Sequence, residues 1–279
     1  MRIVLTGAAG GIGRRVAKTL VDDGHDLVAL DRAEPALNAL PDAVDTRVVD
    51  LTDADATAGA LAEVAADAVV TCAGWYAIGA LEDCPPARFR EHLDANLGAV
   101  HNAVHPLLPT LRSRTGRIVL VGSMAGSVPL PFHGGYSAAK AGVSGYADVL
   151  RRELAEHDVD VSLVEPGPTA TGLNERAAAA LTTATDERSA TDERDDGQET
   201  AYAAAYRAFD SYAPNAVDPE TVADRVVTAT TTADPRARYR VSARARWLPR
   251  LGAVLPTAIF DRIVRAGMPD GWLGRWIDR

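Results

Sequence analysis

The sequence predicts an α/β protein built on a doubly wound parallel sheet, arranged as three layers in a single domain. Short runs rich in Val, Ile and Leu alternate with longer helical stretches through the first two thirds of the 279 residues. Some runs, such as residues 118–121, are apolar without interruption, which is expected where helices cover both faces of a sheet. A glycine-rich turn also follows the first run and opens a helix over residues 14–22.

Six runs are predicted as strands of this sheet, and a seventh strand is predicted at residues 238–242, where Arg and apolar residues alternate. The length of each run suits a short buried strand better than a helix. The six runs are residues 2–5, 26–30, 46–49, 68–71, 116–121 and 159–164.

Two segments depart from the alternating pattern. Residues 172–215 are Ala-rich and strongly charged, and we interpret them as a flap: either a lid over substrate or, for the low-complexity centre at 184–200, a solvated insertion without a role. Residues 243–279 form a basic, Trp-containing extension. It could rest on an anionic membrane surface, but we favour a cover over the substrate cleft or a subunit contact.

Composition excludes several classes of function. The net charge of -9 argues against nonspecific nucleic-acid binding, and no window approaches the roughly 18 apolar residues of a membrane-spanning helix. Cys72 and Cys84 lack the spacing of a zinc site or a disulfide framework, so no metal is expected. Because a strand is predicted from residue 2, no cleaved leader is expected, and we predict a cytoplasmic protein.

The glycine turn after the first strand predicts a dinucleotide site. Glycines allow a tight turn and a close approach to a pyrophosphate, while the N-terminus of the following helix offers N–H groups and partial positive charge. A lone glycine pattern could be an ordinary turn, but its position between the first strand and a helix favours the cofactor. The residues concerned are Gly7, Gly10, Gly11, Ile12 and Gly13.

Acidic residues after the next strands indicate which dinucleotide is bound. Asp31, at the end of the second strand, can accept hydrogen bonds from the adenine ribose and would repel a 2′-phosphate, which favours NAD. Arg32 could instead bind that phosphate, so NADP stays open. Asp50 and Leu51 are placed to meet the adenine ring, although Asp50 could equally be a helix N-cap.

A Ser, Tyr and Lys constellation predicts the chemistry. Tyr136 and Lys140 are four residues apart and therefore share one face of a helix, where the ammonium can stabilise a phenolate. Ser123 precedes Tyr136 by thirteen residues. The chain has only two lysines among 29 cationic residues, so a lysine at this position indicates a need for a compact point charge.

In these motifs the chain resembles the short-chain dehydrogenase/reductase family, in its short single-domain branch with a Rossmann fold. The resemblance covers most of the chain and consists of several motifs in order rather than one. Besides the glycine turn and the Ser, Tyr and Lys constellation, the matching residues are Asp50, Ala73, Gly74, Asn96, Pro166, Gly167 and Thr171.

The resemblance implies a role for each catalytic candidate. Tyr136 would be the general acid/base, Ser123 would hold the substrate oxygen, and Lys140 would bind the nicotinamide ribose and lower the pKa of the tyrosine. Asn96 would hold a water in a proton relay. A homodimer or homotetramer through the helices around Asn96 and Tyr136 is also implied. The segment along the nicotinamide would include Pro166, Gly167, Thr169 and Thr171.

Two features depart from the family pattern or fit more than one branch. Thr71 and Cys72 stand where the family commonly has two asparagines, which puts in doubt the usual side-chain bridge between central strands. The glycine spacing also fits sugar-nucleotide epimerases and dehydratases with tightly bound NAD, and a non-catalytic nucleotide sensor is a further alternative. The modest length and the Ser to Tyr spacing favour the dehydrogenase.

Apolar and aromatic residues beside the motifs predict the substrate. Trp75, Tyr76, Met124, residues 129–133 and Pro168 suggest a small-molecule secondary alcohol or ketone of hydrophobic character. Within that segment we expect His133 to be structural rather than catalytic, because Tyr136 already fills the acid/base role.

Overall fold

The computed structural model describes residues 1–172, 177, 201–210 and 216–268. Seven parallel strands form one sheet in the order β3-β2-β1-β4-β5-β6-β7, which confirms the predicted doubly wound sheet. Every predicted strand lies within two residues of its observed bounds. The strands are β1 (Arg2–Thr6), β2 (Asp26–Asp31), β3 (Asp45–Val48), β4 (Ala68–Thr71), β5 (Arg117–Val121), β6 (Asp160–Pro166) and β7 (Arg238–Val241).

Helices connect the strands and cover both faces of the sheet. A π-helical turn at Asp94–Gly98 joins α4 to α5, and single 3-10 turns lie at His105–Leu107 and Ala155–His157. The helices are α1 (Gly13–Asp22), α2 (Glu34–Leu37), α3 (Ala54–Leu61), α4 (Pro86–Leu93), α5 (Ala99–Val104), α6 (Leu108–Ser113), α7 (Met124–Ser127), α8 (Gly134–Glu153), α9 (Ala203–Asp210), α10 (Pro219–Thr231), α11 (Ala243–Val254) and α12 (Thr257–Ala266).

The apolar strands divide their side chains between two cores because successive residues of a strand point to opposite faces. In β1, Val4 belongs to the core shared with α3, α5 and α8, whereas Ile3 and Leu5 belong to the core shared with α1 and α10. Both cores are fully buried at these positions. The three predicted layers, helix, sheet and helix, are therefore confirmed.

The sheet changes direction at β1, and this positions the site. The chain runs from β1 outward to β2 and β3, then returns to pair β4 with the other side of β1. Connections leaving the carboxyl ends of β1 and β4 diverge to opposite sides, which opens a crevice at the point where doubly wound sheets bind ligands.

The predicted flap and extension are described only in part. Within residues 172–215 the described residues include α9, and the proposed low-complexity centre at 184–200 lies outside them. The predicted extension contains α11 and α12, whereas residues 269–279 are also outside the described residues. Across the described ranges, each helix is too short or too polar to cross a bilayer.

A glycine substitution tests the packing of the first turn. A Cβ at Gly13 would overlap the carbonyl oxygen of Gly7, so Gly13→Ala should cost about 1–3 kcal/mol of unfolding free energy. Gly59 is the matched control: it lies in α3 with open space around it, and Gly59→Ala should add about 0.5–1 kcal/mol. Urea denaturation of both variants measures the difference, and equal stabilities would contradict this packing.

Candidate active site

Two segments pack against the glycine turn because glycine has no side chain to keep them away. Gly7 has a φ of +68°, and a Cβ there would overlap the backbone of Ala73, which follows β4. A Cβ at Gly11 would lie 2.8 Å from the Cβ of Thr171 in the segment after β6. The turn is therefore pressed against the two segments that the sequence predicts to lie along a cofactor.

A groove of about 850 Å³ runs from this turn along the carboxyl ends of β2 and β3. Its walls contain most of the residues predicted to bind the adenine end and the pyrophosphate of a dinucleotide. Gly13 is not among them, since it serves the packing of α1 against the turn. The predicted residues that line the groove are Gly7, Gly11, Asp31, Arg32, Asp50, Leu51, Ala73, Gly74 and Thr171.

Asp31 is fixed at the mouth of the groove by backbone N–H groups. Its carboxylate accepts hydrogen bonds from the N–H of Ala9 at 3.0 Å and of Ala33 at 3.1 Å. Arg14 and Arg32 line the same groove, so both signs of charge face the adenine end.

Asp50 lines the groove as predicted, and it is not a helix cap. Its carboxylate accepts hydrogen bonds from the N–H and hydroxyl of Thr52 at 3.0 and 2.8 Å, which lower the pKa of Asp50. The N-cap of α3 is instead Asp53, which accepts a hydrogen bond from the N–H of Ala56.

A second cavity of about 180 Å³ opens from the groove. Cys72, Ala73, Gly74 and Thr171 line both spaces, so the groove and the second cavity form one continuous cleft. The second cavity brings together the remaining predicted residues, which are Ile12, Ser123, Tyr136, Lys140, Pro166, Gly167 and Thr169.

Ser123 and Tyr136 come from two helices held in close contact. Ser123 is the N-cap of α7, where its hydroxyl accepts a hydrogen bond from the N–H of Ala125 at 3.1 Å. Tyr136 lies in the first turn of α8. A Cβ at Gly126 would lie 2.5 Å from the carbonyl oxygen of Lys140, so glycine is required where α7 crosses α8.

The environment of Tyr136 favours the protonated phenol. Removal of water from around the ring raises the pKa of Tyr136, and a hydrogen bond with Ser123 partly opposes this. Desolvation is the larger of these two effects, and the Lys140 ammonium lies 5.8 Å from the centre of the Tyr136 ring. The lowering of this pKa by Lys140, which the resemblance implies for a cleft that holds the oxidised nicotinamide, stays a prediction.

Lys140 is an unusually buried lysine, with 4% of its surface exposed. Its ammonium donates a hydrogen bond to the carbonyl oxygen of Val121, at the end of β5, at 3.0 Å. Burial lowers the pKa of Lys140 to about 8. The group can therefore gain or lose its charge close to neutral pH.

Asn96 is fully buried in the π-helical turn, beside Lys140 rather than in the cleft. Its side-chain amide donates to the carbonyl oxygens of Trp75 and His92 at 2.6 and 2.9 Å, and its oxygen accepts from the N–H of Trp75 at 3.2 Å. The side chain thus anchors the segment after β4. The predicted water relay at Asn96 stays a prediction.

The two residues that depart from the family pattern lie where β4 meets the cleft. Among the described residues the buried hydroxyl oxygen of Thr71 has no hydrogen-bond partner, which agrees with the expected loss of a side-chain bridge between central strands. Burial raises the pKa of the Cys72 thiol to about 12, so it stays protonated beside Lys140.

Comparison with known families agrees with this geometry. Residues 1–182 match the model of the short chain dehydrogenase family, which is more than half of the chain. The chain belongs to the short-chain dehydrogenase/reductase family. It is accordingly an oxidoreductase of the class that acts on CH–OH and keto groups.

Individual relatives cover much of this dehydrogenase. It is 29% identical over 276 residues to a probable short-chain type dehydrogenase/reductase, VdlC, of Helicobacter pylori, covering 94% of this chain and 96% of that protein. It is 31% identical over 179 residues to a 3-ketodihydrosphingosine reductase of Bacteroides thetaiotaomicron, covering 62% and 65% of the two chains. A crystal structure of a short chain dehydrogenase from Burkholderia cenocepacia in complex with NADP superposes with a TM-score of 0.75 at 22% identity, covering 94% and 96%.

The second cavity is lined by some of the residues predicted beside the motifs and by residues from distant segments. Of the predicted residues, Tyr76, Met124, Leu130, His133 and Pro168 line the second cavity. Trp75 instead lines the groove, with Arg88 over its ring at 5.5 Å. The second cavity is also lined by Ile78, Phe209 and Met268, which no sequence motif predicted.

A buried carboxylate, also missed, holds the serine helix against the end of the sheet. Glu165 in β6 has 1% of its side chain exposed and accepts hydrogen bonds from Ser127 of α7 at 2.6 Å, Arg238 at 3.0 Å and Arg240 at 3.2 Å. The alternating arginines of β7 were the available signal, since a buried carboxylate requires paired charges. Glu165 therefore positions Ser123 through α7.

Removal of this carboxylate should destabilise the protein. Glu165→Ala leaves Arg238 and Arg240 without their buried partner and should cost about 3–5 kcal/mol in urea denaturation. Asp160→Ala is the matched control on the same strand, since its ion pair with Arg117 is 48% exposed on the carboxylate side and should cost less than about 1 kcal/mol. Similar losses for the two variants would count against the positioning role.

Proposed function

We propose that the protein catalyses reversible hydride transfer between a nicotinamide dinucleotide and a hydrophobic secondary alcohol or ketone, with Tyr136 as the general acid/base. One observation carries the proposal: Ser123, Tyr136 and Lys140 line one cavity that is continuous with the groove at the switch point of the sheet. A non-catalytic sensor would have no need of a buried lysine beside a desolvated tyrosine.

The cleft fits the dinucleotide in shape and chemistry. Gly7 and Gly11 line the groove beside the N-terminus of α1, where backbone N–H groups and partial positive charge would favour a pyrophosphate. The glycine turn, Asp31 and Asp50 would hold the adenosine half, and the segment from Pro166 to Thr171 would flank the nicotinamide half. When bound, the nicotinamide supplies or accepts the hydride and, oxidised, adds a positive charge.

Tyr136 moves the proton at the substrate oxygen. Its raised pKa keeps the phenol protonated at neutral pH, which suits donation to the oxygen of a ketone that is being reduced. Ser123, which lines the same cavity as Tyr136, would orient that oxygen. For alcohol oxidation the phenol must lose its proton, and lowering a tyrosine pKa from about 10 to about 7 requires roughly 4 kcal/mol.

Lys140 supplies part of the free energy that is needed to stabilise the Tyr136 phenolate. Its ammonium lies 5.8 Å from the centre of the Tyr136 ring in a site that excludes most water, where a charge acts more strongly than the roughly 1 kcal/mol expected in bulk water. The hydrogen bond to Val121 holds the ammonium in the second cavity, where it would meet the nicotinamide ribose.

Removal of the phenol oxygen tests this mechanism. Tyr136→Phe should lower kcat by about a hundred to about ten thousand fold, the usual contribution of a general acid, while the Kd for NADH from fluorescence titration stays within about twofold. Tyr146→Phe is the matched control on the same helix, since its hydroxyl contacts His101 outside the cleft, and it should keep full activity. Full activity in Tyr136→Phe would contradict the mechanism.

We further propose that NAD is preferred over NADP. The Asp31 carboxylate, fixed at the end of β2, would accept hydrogen bonds from the ribose and repel a 2′-phosphate. NADP remains compatible through Arg32, and NADP is named with the Burkholderia cenocepacia structure.

Titration with the two reduced cofactors tests the preference. NADH should bind at least about ten times more tightly than NADPH, and Asp31→Ala should narrow or reverse that ratio because a negative charge is removed. Asp26→Ala, at the opposite end of β2, is the control that should leave the ratio unchanged. Tighter binding of NADPH to the unaltered protein would contradict the assignment of Asp31.

The remaining expectations extend the proposal. The apolar walls at Ile78, Phe209 and Met268 support a hydrophobic substrate, as does similarity to a protein named as a 3-ketodihydrosphingosine reductase. Because α9 contributes Phe209 to the cavity, we propose that residues 172–215 act as a lid within a single domain. A cytoplasmic homodimer or homotetramer through the helices around Asn96 and Tyr136 completes the proposal.

A further inference from the structure

The substrate cavity contains a histidine that the proposed mechanism does not use. His133 immediately precedes α8, three residues before Tyr136, and lines the same cavity as Ser123 and Tyr136. The sequence predicts a structural role for His133. Its ring does have a structural contact, but within the described part of the chain only one of its two nitrogens takes part.

The position of the ring proton follows from that contact. The Nδ1 of His133 lies 2.8 Å from the carbonyl oxygen of Pro131. A carbonyl oxygen can only accept, so Nδ1 must donate, and in the neutral ring Nε2 then carries a lone pair. Desolvation lowers the pKa of His133, which keeps the ring neutral and Nε2 an acceptor at physiological pH.

The Nε2 atom has no hydrogen-bond partner among the described residues, and it keeps some accessible surface. Around it the cavity is lined mainly by apolar side chains, including Ile78, Leu130, Phe209 and Met268. An acceptor in such surroundings is costly to leave unpaired once a ligand displaces water. It therefore favours a ligand that carries a donor.

Aromatic stacking fixes the acceptor relative to the reacting group. The His133 ring stacks on Tyr76, with centroids 5.5 Å apart and planes inclined by 28°. Tyr76 in turn lies 4.9 Å from the ring of Tyr136. Phe209 contacts the far side of this cluster, at 6.1 Å from His133. His133 and Tyr136 thus pack against the same ring, that of Tyr76, and line the same cavity.

We propose that Nε2 of His133 accepts a hydrogen bond from a hydroxyl or N–H group of the substrate, separate from the carbon that exchanges hydride. The substrate class is then narrowed to hydrophobic ketones or alcohols that carry a second hydrogen-bond donor several bonds from the reacting carbon. This inference rests on the proposed oxidoreductase function. His133 determines specificity and takes no part in the chemical step.

Matched pairs of ketones test the subsite. The probes are 3- and 4-hydroxyacetophenone against 3- and 4-methylacetophenone, since a methyl group replaces the hydroxyl with little change in shape. With saturating NADH, at least one hydroxyl compound should show a kcat/KM about tenfold above its methyl partner, the value of one net hydrogen bond. Titration calorimetry of the protein loaded with NAD+ should give the same order of affinity.

Variants assign the preference to His133. His133→Phe keeps an aromatic ring against Tyr76 but removes the acceptor, so the hydroxyl-to-methyl ratio should fall to about one. His133→Gln places an amide oxygen near the position of Nε2 and should restore part of the ratio. Met268→Leu is the control, since it reshapes the apolar wall and should change both members of a pair equally.

The outcomes separate this subsite from the proposed reaction. Equal kcat/KM within each pair, or a ratio unchanged in His133→Phe and His133→Gln, would overturn the subsite while leaving ketone reduction intact. Failure to bind any of the four ketones would overturn it as well. Selective binding of a hydroxyl compound that is lost in His133→Phe, with no turnover, would support the subsite and contradict the oxidoreductase function.

Discussion

The cleft depends on one close approach of backbone to backbone. At Gly7 the turn after β1 meets the chain after β4, and the φ of +68° together with the absent side chain permits the contact. Because β1 and β4 are adjacent parallel strands, this contact lies at the point where the sheet changes direction. The groove and the second cavity share the wall at Ala73, and both extend from that point.

Desolvation governs the chemistry within the cleft. It raises the pKa of Tyr136 and lowers that of Lys140, so both groups are driven toward their neutral forms. In such a site Tyr136 keeps its proton until negative charge develops on the substrate oxygen. The Tyr136 phenolate is stabilised only when further positive charge is present. The same exclusion of water lowers the pKa of His133 and keeps its ring neutral.

Polar anchors behind the cleft keep these groups in place. Asn96 fixes the segment after β4 through three hydrogen bonds, and Glu165 fixes α7 through Ser127. Neither side chain lines the cavity. Each makes three hydrogen bonds, which gives the reacting residues a rigid support.

The sequence alone determined the sheet, the three layers and the local motifs, because strand and helix periodicity, glycine turns and a four-residue Tyr to Lys spacing are properties of short segments. Tertiary structure decided what depends on distant segments: the places of Phe209 and Met268 in the cavity, the pairing of Glu165 with Arg238 and the opposed pKa shifts of Tyr136 and Lys140. Burial and long-range contacts arise only when the chain folds, so no local pattern encodes them.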